Sequence, residues 1–242
     1  MTKLSSRWYS ERVGQEVDVV RWGNFGTPVL VFPTAGGDAE EIERFHLVAA
    51  CGELLDAGRV KLYSVDSLNG RILLTGEGGS GRQAWIHQQY FEFLRHEVVP
   101  AIRTDCASDD IEIVAAGPSI GAFNALTCVC AYPDVFKAAV CMSGTYDLRR
   151  FFDGPVAEEF TLSSAVAYLA QLDGAGLEQL RQRFVVLASG EGANEDIGQS
   201  WAVAHALGSR GIPNRVDPWG QNWEHDWPLW RAMLPQYLDE LV

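Results

Sequence analysis

Five residues constrain this chain more than any others: Gly117-Pro118-Ser119-Ile120-Gly121, which read G-x-S-x-G. The mostly apolar run Ile111-Glu112-Ile113-Val114-Ala115-Ala116 precedes them. The small-residue, helix-favouring run Ala122-Phe123-Asn124-Ala125-Leu126-Thr127 follows. That order predicts strand, sharp turn, helix. Such a turn brings strand and helix together at the two glycines, where a side chain would clash. It holds the serine in a strained conformation, with its hydroxyl presented at the carboxyl end of a sheet. The N-terminus of the next helix favours negative charge developing beside it. The same spacing also suits a plainer role, a glycine-rich turn whose serine caps the helix. The rest of the chain has to decide.

A strand-turn-helix unit needs a sheet around it, and the sequence supplies one. Residues 16–22 alternate as a strand near a sheet edge. Val29 to Phe32 is a continuous apolar run, as in a strand buried on both faces, and ends in the small-residue loop Pro33-Thr34-Ala35-Gly36-Gly37-Asp38. A helix is expected from Glu40 to Leu55, a strand from Val60 to Val65, and a glycine-rich surface loop from Asp66 to Gly81. Trp85 to Arg103 has helical periodicity, with Pro100 kinking it or opening a new turn. Strands follow at 138–143, at Phe184 to Ser189 and at Asn214 to Asp217. Between them, Gly144 to Gly176 is irregular and rich in aromatics, a candidate cap or pocket wall. Helices are expected over Ser200 to Leu207 and from Leu229 to about Glu240, the second with Pro228 in its first turn. Strands alternating with helices imply an α/β chain with a mainly parallel sheet covered on both faces. With 242 residues and no linker or repeat, residues 1–242 read as one domain.

Composition narrows the partners. A net charge of −13 argues against nucleic acid or an anionic membrane, both of which need a basic footprint. No run is long and apolar enough to span a bilayer, and residues 1–12 lack the apolar core of a signal peptide. The five cysteines are odd in number and sit mostly in apolar segments, as buried free thiols of a cytoplasmic protein do. Cys128 and Cys130 lie two apart on a helix, where neighbours do not face each other, so a metal clip is not expected.

A serine is a weak nucleophile until a base takes its proton, and histidine has the suitable pKa. His46, His87, His96 and His205 fall within predicted helices. His225 stands alone in a loop, in Trp223-Glu224-His225-Asp226-Trp227, after the presumed last strand. The order serine, acid, histidine selects it as the base. The acid that orients the imidazole should follow the strand ending at Ser189. Glu195 is preferred, then Asp196, then Glu191. Asp226, next to the histidine, is poorly placed to reach its Nδ1 side, and Asp196 also suits a helix N-cap. Two N–H donors are needed for an oxyanion. One is expected at Ile120 and one at Thr34 or Ala35, with Ala35 preferred. Trp219, Trp223, Trp227 and Trp230 surround the base; some can wall an acyl pocket, while Trp230 reads as packing for the last helix.

These segments together resemble the putative-esterase family of α/β-hydrolases. The matching stretches are residues 31–37, Glu97-Val98-Val99-Pro100, residues 115–122, Tyr132-Pro133-Asp134-Val135-Phe136, Met142-Ser143-Gly144 and His225-Asp226-Trp227. The resemblance implies an α/β-hydrolase fold, with Ser119 as nucleophile, His225 as general base and then acid, and a carboxylate within 190–196. It implies no metal and no organic cofactor. Members of the family often carry the acid three residues after the strand-end glycine, but Gly190 plus three is Ala193 here. The expected activity is cleavage of a carboxylic ester or thioester of a small molecule through an acyl-enzyme. Acyl transfer to another acceptor, or a non-catalytic ligand-binding role, are the alternatives on the same scaffold.

Overall fold

The computed structural model describes residues 2–152 and 165–242. Eight strands form one sheet: β1 (Lys3–Ser10), β2 (Gln15–Trp22), β3 (Thr27–Val31), β4 (Val60–Val65), β5 (Ile113–Pro118), β6 (Phe136–Met142), β7 (Phe184–Ser189) and β8 (Asn214–Pro218). Their order across the sheet is β1-β2-β4-β3-β5-β6-β7-β8. β1 and β2 pair antiparallel, β2 joins β4 antiparallel, and every later pairing is parallel.

The continuous apolar runs are explained by burial on both faces. Leu30, Ala115, Cys141 and Leu187 point into one core, while Val29, Val31, Val114, Ala116, Val140, Val186 and Ala188 point into the other. The period of two thus divides each run between two helical layers. The first layer includes α5 (Gly79–Phe93), α7 (Ile120–Ala131) and α10 (Ile197–Ser209); the second is closed by α11 (Trp227–Leu241). Four of the five cysteines are buried, and all are free. Burial pushes the Cys51 thiol up to about 12 and the Cys128 thiol well up, so these are packing groups rather than reactive ones.

The structure departs from the sequence reading in five places. The edge strand is β1, which the pattern did not signal because most of its residues are exposed. Backbone pairing with β2 holds it, together with Trp8, which meets Phe93 and donates to Glu97 at 2.8 Å. Ser10 and Arg12 also donate to Glu97.

The single helix expected over 40–55 is three short pieces, α1 (Glu41–Arg44), α2 (Leu47–Ala50) and α3 (Gly52–Asp56). His46 breaks the run at φ 63°, and Phe45 leaves the helical path to stack on Trp227, with ring centroids 4.5 Å apart.

The expected loop over 66–81 contains α4 (Leu68–Thr75), which buries Leu68, Ile72 and Leu73. Its Gly70 is there for close approach: a Cβ would sit 2.5 Å from the Ala35 carbonyl oxygen.

The helix over 85–103 is continuous but changes pitch. A π-turn at Leu94–Val98 links α5 to α6 (Val99–Asp105), and Pro100 lies in the first turn of α6, directly after the π-turn. The excursion expected over 144–176 is partly helical, with a 3₁₀ turn at Leu148–Phe151 and α8 (Ala165–Gln171), followed by α9 (Gly174–Leu180). Its residues 153–164 lie outside the described residues.

Candidate active site

The carboxyl ends of β3, β5, β6, β7 and β8 share one edge of the sheet, and the candidate residues lie on the connections that leave it. Ser119 follows β5 at φ 57°, ψ −119° and opens α7. That conformation is sterically costly for a residue with a Cβ. The Ser119 N–H donates to the Met142 carbonyl at 2.9 Å, and the Ser119 carbonyl accepts from Ala122 and Thr145. Its side chain makes no capping bond to the helix, which removes the plain N-cap alternative. Gly121 explains why the motif ends in glycine. A Cβ there would fall 2.4 Å from the Phe32 carbonyl oxygen and 2.8 Å from that of Pro33, both backbone atoms. Gly121→Ala is therefore expected to destabilise the protein by about 3 kcal/mol, the upper range for overpacking, read as a lower urea midpoint.

His225 lies on the loop between β8 and α11 and is held by its own N–H, which donates to the Ala193 carbonyl at 3.1 Å. Its Nδ1 is 3.5 Å from Oε2 of Glu195, whose side chain is 1% exposed. This is the outer edge of hydrogen-bonding distance. The backbone accounts for the reach of Glu195. Its N–H closes a turn onto Gly192 at 3.2 Å, and Asn194 takes the left-handed conformation at φ 63°. That turn brings residue 195 back to the histidine, while Ala193, three residues after Gly190, supports the histidine through its carbonyl.

The other carboxylates do different work. Asp196 occupies the N-cap position of α10 and accepts from the Gln199 side chain at 3.0 Å. Glu191 is exposed. Asp226 caps α11 by accepting the Trp227 N–H at 2.7 Å.

Two serines and a tryptophan that the sequence reading did not assign to the site complete the surroundings of Glu195. Ser143 Oγ donates to Oε1 at 2.5 Å, and Ser189 Oγ donates to Oε2 at 3.1 Å. Burial alone would raise the Glu195 carboxyl, but the hydrogen bonds from His225, Ser143 and Ser189 outweigh it and hold the group below the ordinary glutamate range. Trp230 is buried, as its packing role requires, yet it also donates Nε1–H to Ser143 Oγ at 2.9 Å and sets its ring edge-on to His225 at 5.2 Å. Trp230→Phe keeps the ring but leaves Ser143 without that donor. It is expected to lower stability by about 1 kcal/mol, measured by chemical denaturation.

Of the other tryptophans, Trp219 meets Trp223 and donates to Tyr237, so both pack the last helix rather than the base. Gln199 accepts from the Tyr146 and Asp147 N–H groups and so anchors the segment after β6 to α10.

Of the two candidate oxyanion donors, Ile120 is the first residue of α7, so its N–H has no acceptor within the helix. The Thr34 N–H is engaged, donating to Glu41 Oε2 at 2.7 Å. Ala35, the next residue, packs against the apolar cluster that contains Ile120, Phe123, Leu73, Leu148 and Phe152. Among the described residues no group of three or more His, Cys, Asp or Glu could hold a metal ion, and no helix is long and apolar enough to cross a membrane.

A mostly parallel eight-stranded sheet with helices on both faces and a G-x-S-x-G elbow at its carboxyl edge defines an α/β-hydrolase. Residues 56–241 match the model of the family described as Putative esterase. The chain belongs to that family and is an esterase. Among curated proteins none matches the sequence.

Solved structures share the fold at low identity. A ferulic acid esterase is 16% identical, covering 99% of this chain and 96% of its own, with a TM-score of 0.74. The fluorophosphonate-binding serine hydrolase F of Staphylococcus aureus is 11% identical, covering 99% and 98%, also with a TM-score of 0.74. An S-formylglutathione hydrolase from Agrobacterium tumefaciens is 13% identical, covering 98% and 93%, with a TM-score of 0.72.

Proposed function

We propose that this esterase cleaves a carboxylic ester or thioester of a small molecule through an acyl-enzyme on Ser119. The observation that carries the reading is the shared carboxylate. Glu195 takes His225 on one side and Ser143 on the other, and Ser143 directly follows Met142, whose carbonyl holds the Ser119 N–H. A buried carboxylate held in its ionised form is what keeps an imidazole in the right tautomer and stabilises it once protonated.

In the first step the Ser119 oxygen bonds to the acyl carbon, and its proton passes to Nε2 of His225. The tetrahedral oxyanion is met by the N–H groups of Ile120 and Ala35. The bond to the alkoxide or thiolate then breaks, and the leaving group takes the proton from His225. In the second step water gives its proton to His225 and its oxygen to the acyl carbon. Ser119 leaves as its alcohol with that proton, and the free acid departs.

The whole chain 1–242 is proposed to act as one domain. A cytoplasmic location is supported by five cysteines that are all free. The net charge of −13 favours a small-molecule partner over nucleic acid.

Stopped-flow hydrolysis of p-nitrophenyl acetate tests the two-step path. A burst of p-nitrophenol approaching one equivalent per chain, with an acetyl group trapped on Ser119 by acid quench, is expected. Turnover without a burst and without a trapped acyl group would argue against the covalent path wherever deacylation is the slow step, and a thioester series locates that regime. The same assay with added methanol or a primary amine separates hydrolysis from acyl transfer. Hydrolysis requires that free acid remain the main product.

A further inference from the structure

Glu41 is an unusual residue for its place. It opens α1 and is buried, and it lies far in sequence from Ser119, His225 and Glu195. Neither the G-x-S-x-G motif nor the acid–base pair requires it. Both of its oxygens are nonetheless committed to one residue: Thr34 donates its N–H to Oε2 at 2.7 Å and its hydroxyl to Oε1 at 2.8 Å. Gly37 closes over the carboxylate, and a Cβ on it would lie 2.4 Å from Oε2. The turn 33–37 is thus wrapped around a single carboxyl group. The Gly37 N–H closes the turn onto the Thr34 carbonyl at 3.1 Å.

The turn is backed on its other side as well. Gly70 of α4 lies against the Ala35 carbonyl, and Asn69 of α4 donates to Asn124 of α7 at 2.7 Å. Ala35 therefore sits between a fixed helix pair and a turn anchored by the charged Glu41.

We propose that Glu41 is a positioning residue for oxyanion stabilisation: by holding both the N–H and the hydroxyl of Thr34, it fixes the turn that carries the Ala35 N–H beside Ile120 and removes Thr34 as a competing donor. The proposal rests on the acyl-enzyme reading above and deepens it. Burial raises the Glu41 carboxyl despite the two bonds from Thr34 that lower it, so an ionised Glu41 costs the fold stability. A group that burdens the fold while organising one turn fits a functional purpose better than a structural one.

The test compares wild type with Glu41→Ala, Glu41→Gln and Thr34→Val. It measures kcat and KM on p-nitrophenyl acetate, the Ki of a trifluoromethyl ketone, which forms a tetrahedral oxyanion with an active serine, and the melting temperature. For Glu41→Ala, kcat is expected to fall on the order of 100-fold, as for a misplaced donor, with KM within about threefold. The ketone Ki should weaken by a similar factor. Glu41→Gln should restore most of kcat, because its amide oxygen still accepts the Thr34 N–H while the Thr34 hydroxyl rotates to accept from the amide nitrogen. Thr34→Val keeps the N–H bond and loses the hydroxyl bond, so a loss of about fivefold is expected, the worth of one ordinary hydrogen bond.

A folded Glu41→Ala enzyme with unchanged Ki, or with a rate loss that only follows its titrated active fraction, overturns the proposal. If Glu41→Ala does not fold, Thr34→Val decides: a lower kcat and a weaker ketone support it, and unchanged values overturn it. Wild type that neither turns over nor binds the ketone brings down the acyl-enzyme reading and this one with it. Normal wild type with unaffected variants brings down this one alone.

Discussion

Ser119→Ala is expected to lower kcat for ester hydrolysis by about 10⁶-fold, the scale seen when an activated serine is removed from a triad. Alanine lacks the attacking oxygen but keeps the Cβ, so the backbone cost of φ 57° is the same in both proteins. The hydroxyl makes no helix-capping bond that stability could lose. The melting temperature is accordingly expected to move by less than about 2 °C. A folded variant that retains more than a thousandth of wild-type turnover in a preparation free of contaminating esterase would place the nucleophile elsewhere.

The second large effect is expected at Glu195. Glu195→Ala should reduce kcat about 10⁴-fold, the scale for the orienting acid of a triad. Asp196→Ala, which changes a carboxylate paired with Gln199, should stay within about threefold of wild type, a surface-scale effect. Glu195→Ala also strands the Ser143 hydroxyl, while Ser189 keeps the Gly190 carbonyl as its acceptor at 2.9 Å, so a stability loss of about 2 kcal/mol is expected.

The pH dependence has a definite sign. The folded-state pKa of Glu195 is depressed. Its contribution to stability is therefore present above the ordinary glutamate value and is lost as pH falls through the lower native one. Urea titrations at a series of pH values should show the wild-type advantage over Glu195→Ala shrinking below the ordinary glutamate range. An advantage that is constant with pH across that range would contradict an ionised, hydrogen-bonded Glu195.

The parts of this fold written in local pattern were legible in the sequence. Apolar runs announced the parallel strands β3, β5, β6 and β7, because burial on both faces leaves no polar alternation. The elbow was legible because its glycines answer backbone contacts, Gly121 with Phe32 and Pro33 and Gly117 with Gly121. His225 stood out by its loop position, and Glu195 was the preferred acid, though local sequence could not separate it from Asp196. That separation depends on the turn at Asn194 and on the side chain of Ser143, which is 52 residues away.

The parts carried by long-range contacts were hidden. β1 is held by strand pairing and by Glu97, 89 residues from Trp8. The break at Phe45 answers to Trp227. Gly70 read as a loop residue because its reason, the Ala35 carbonyl, belongs to another segment. Trp230 read as packing, which it is, while its indole N–H serves Ser143. Glu41 looked like an ordinary acidic residue opening a helix; its partner, Thr34, is only seven residues away, but the bond forms around a turn that no periodicity reveals.

The central claim is that Ser119 is an activated nucleophile, and labelling tests it most directly. Wild type, Ser119→Ala and His225→Ala would be treated with a fluorophosphonate, weighed intact, and digested to map the modified peptide. One adduct per wild-type chain, on Ser119, with none on Ser119→Ala and slow labelling of His225→Ala, is the predicted result. No adduct on folded wild type, or an adduct mapped to another residue, would contradict it.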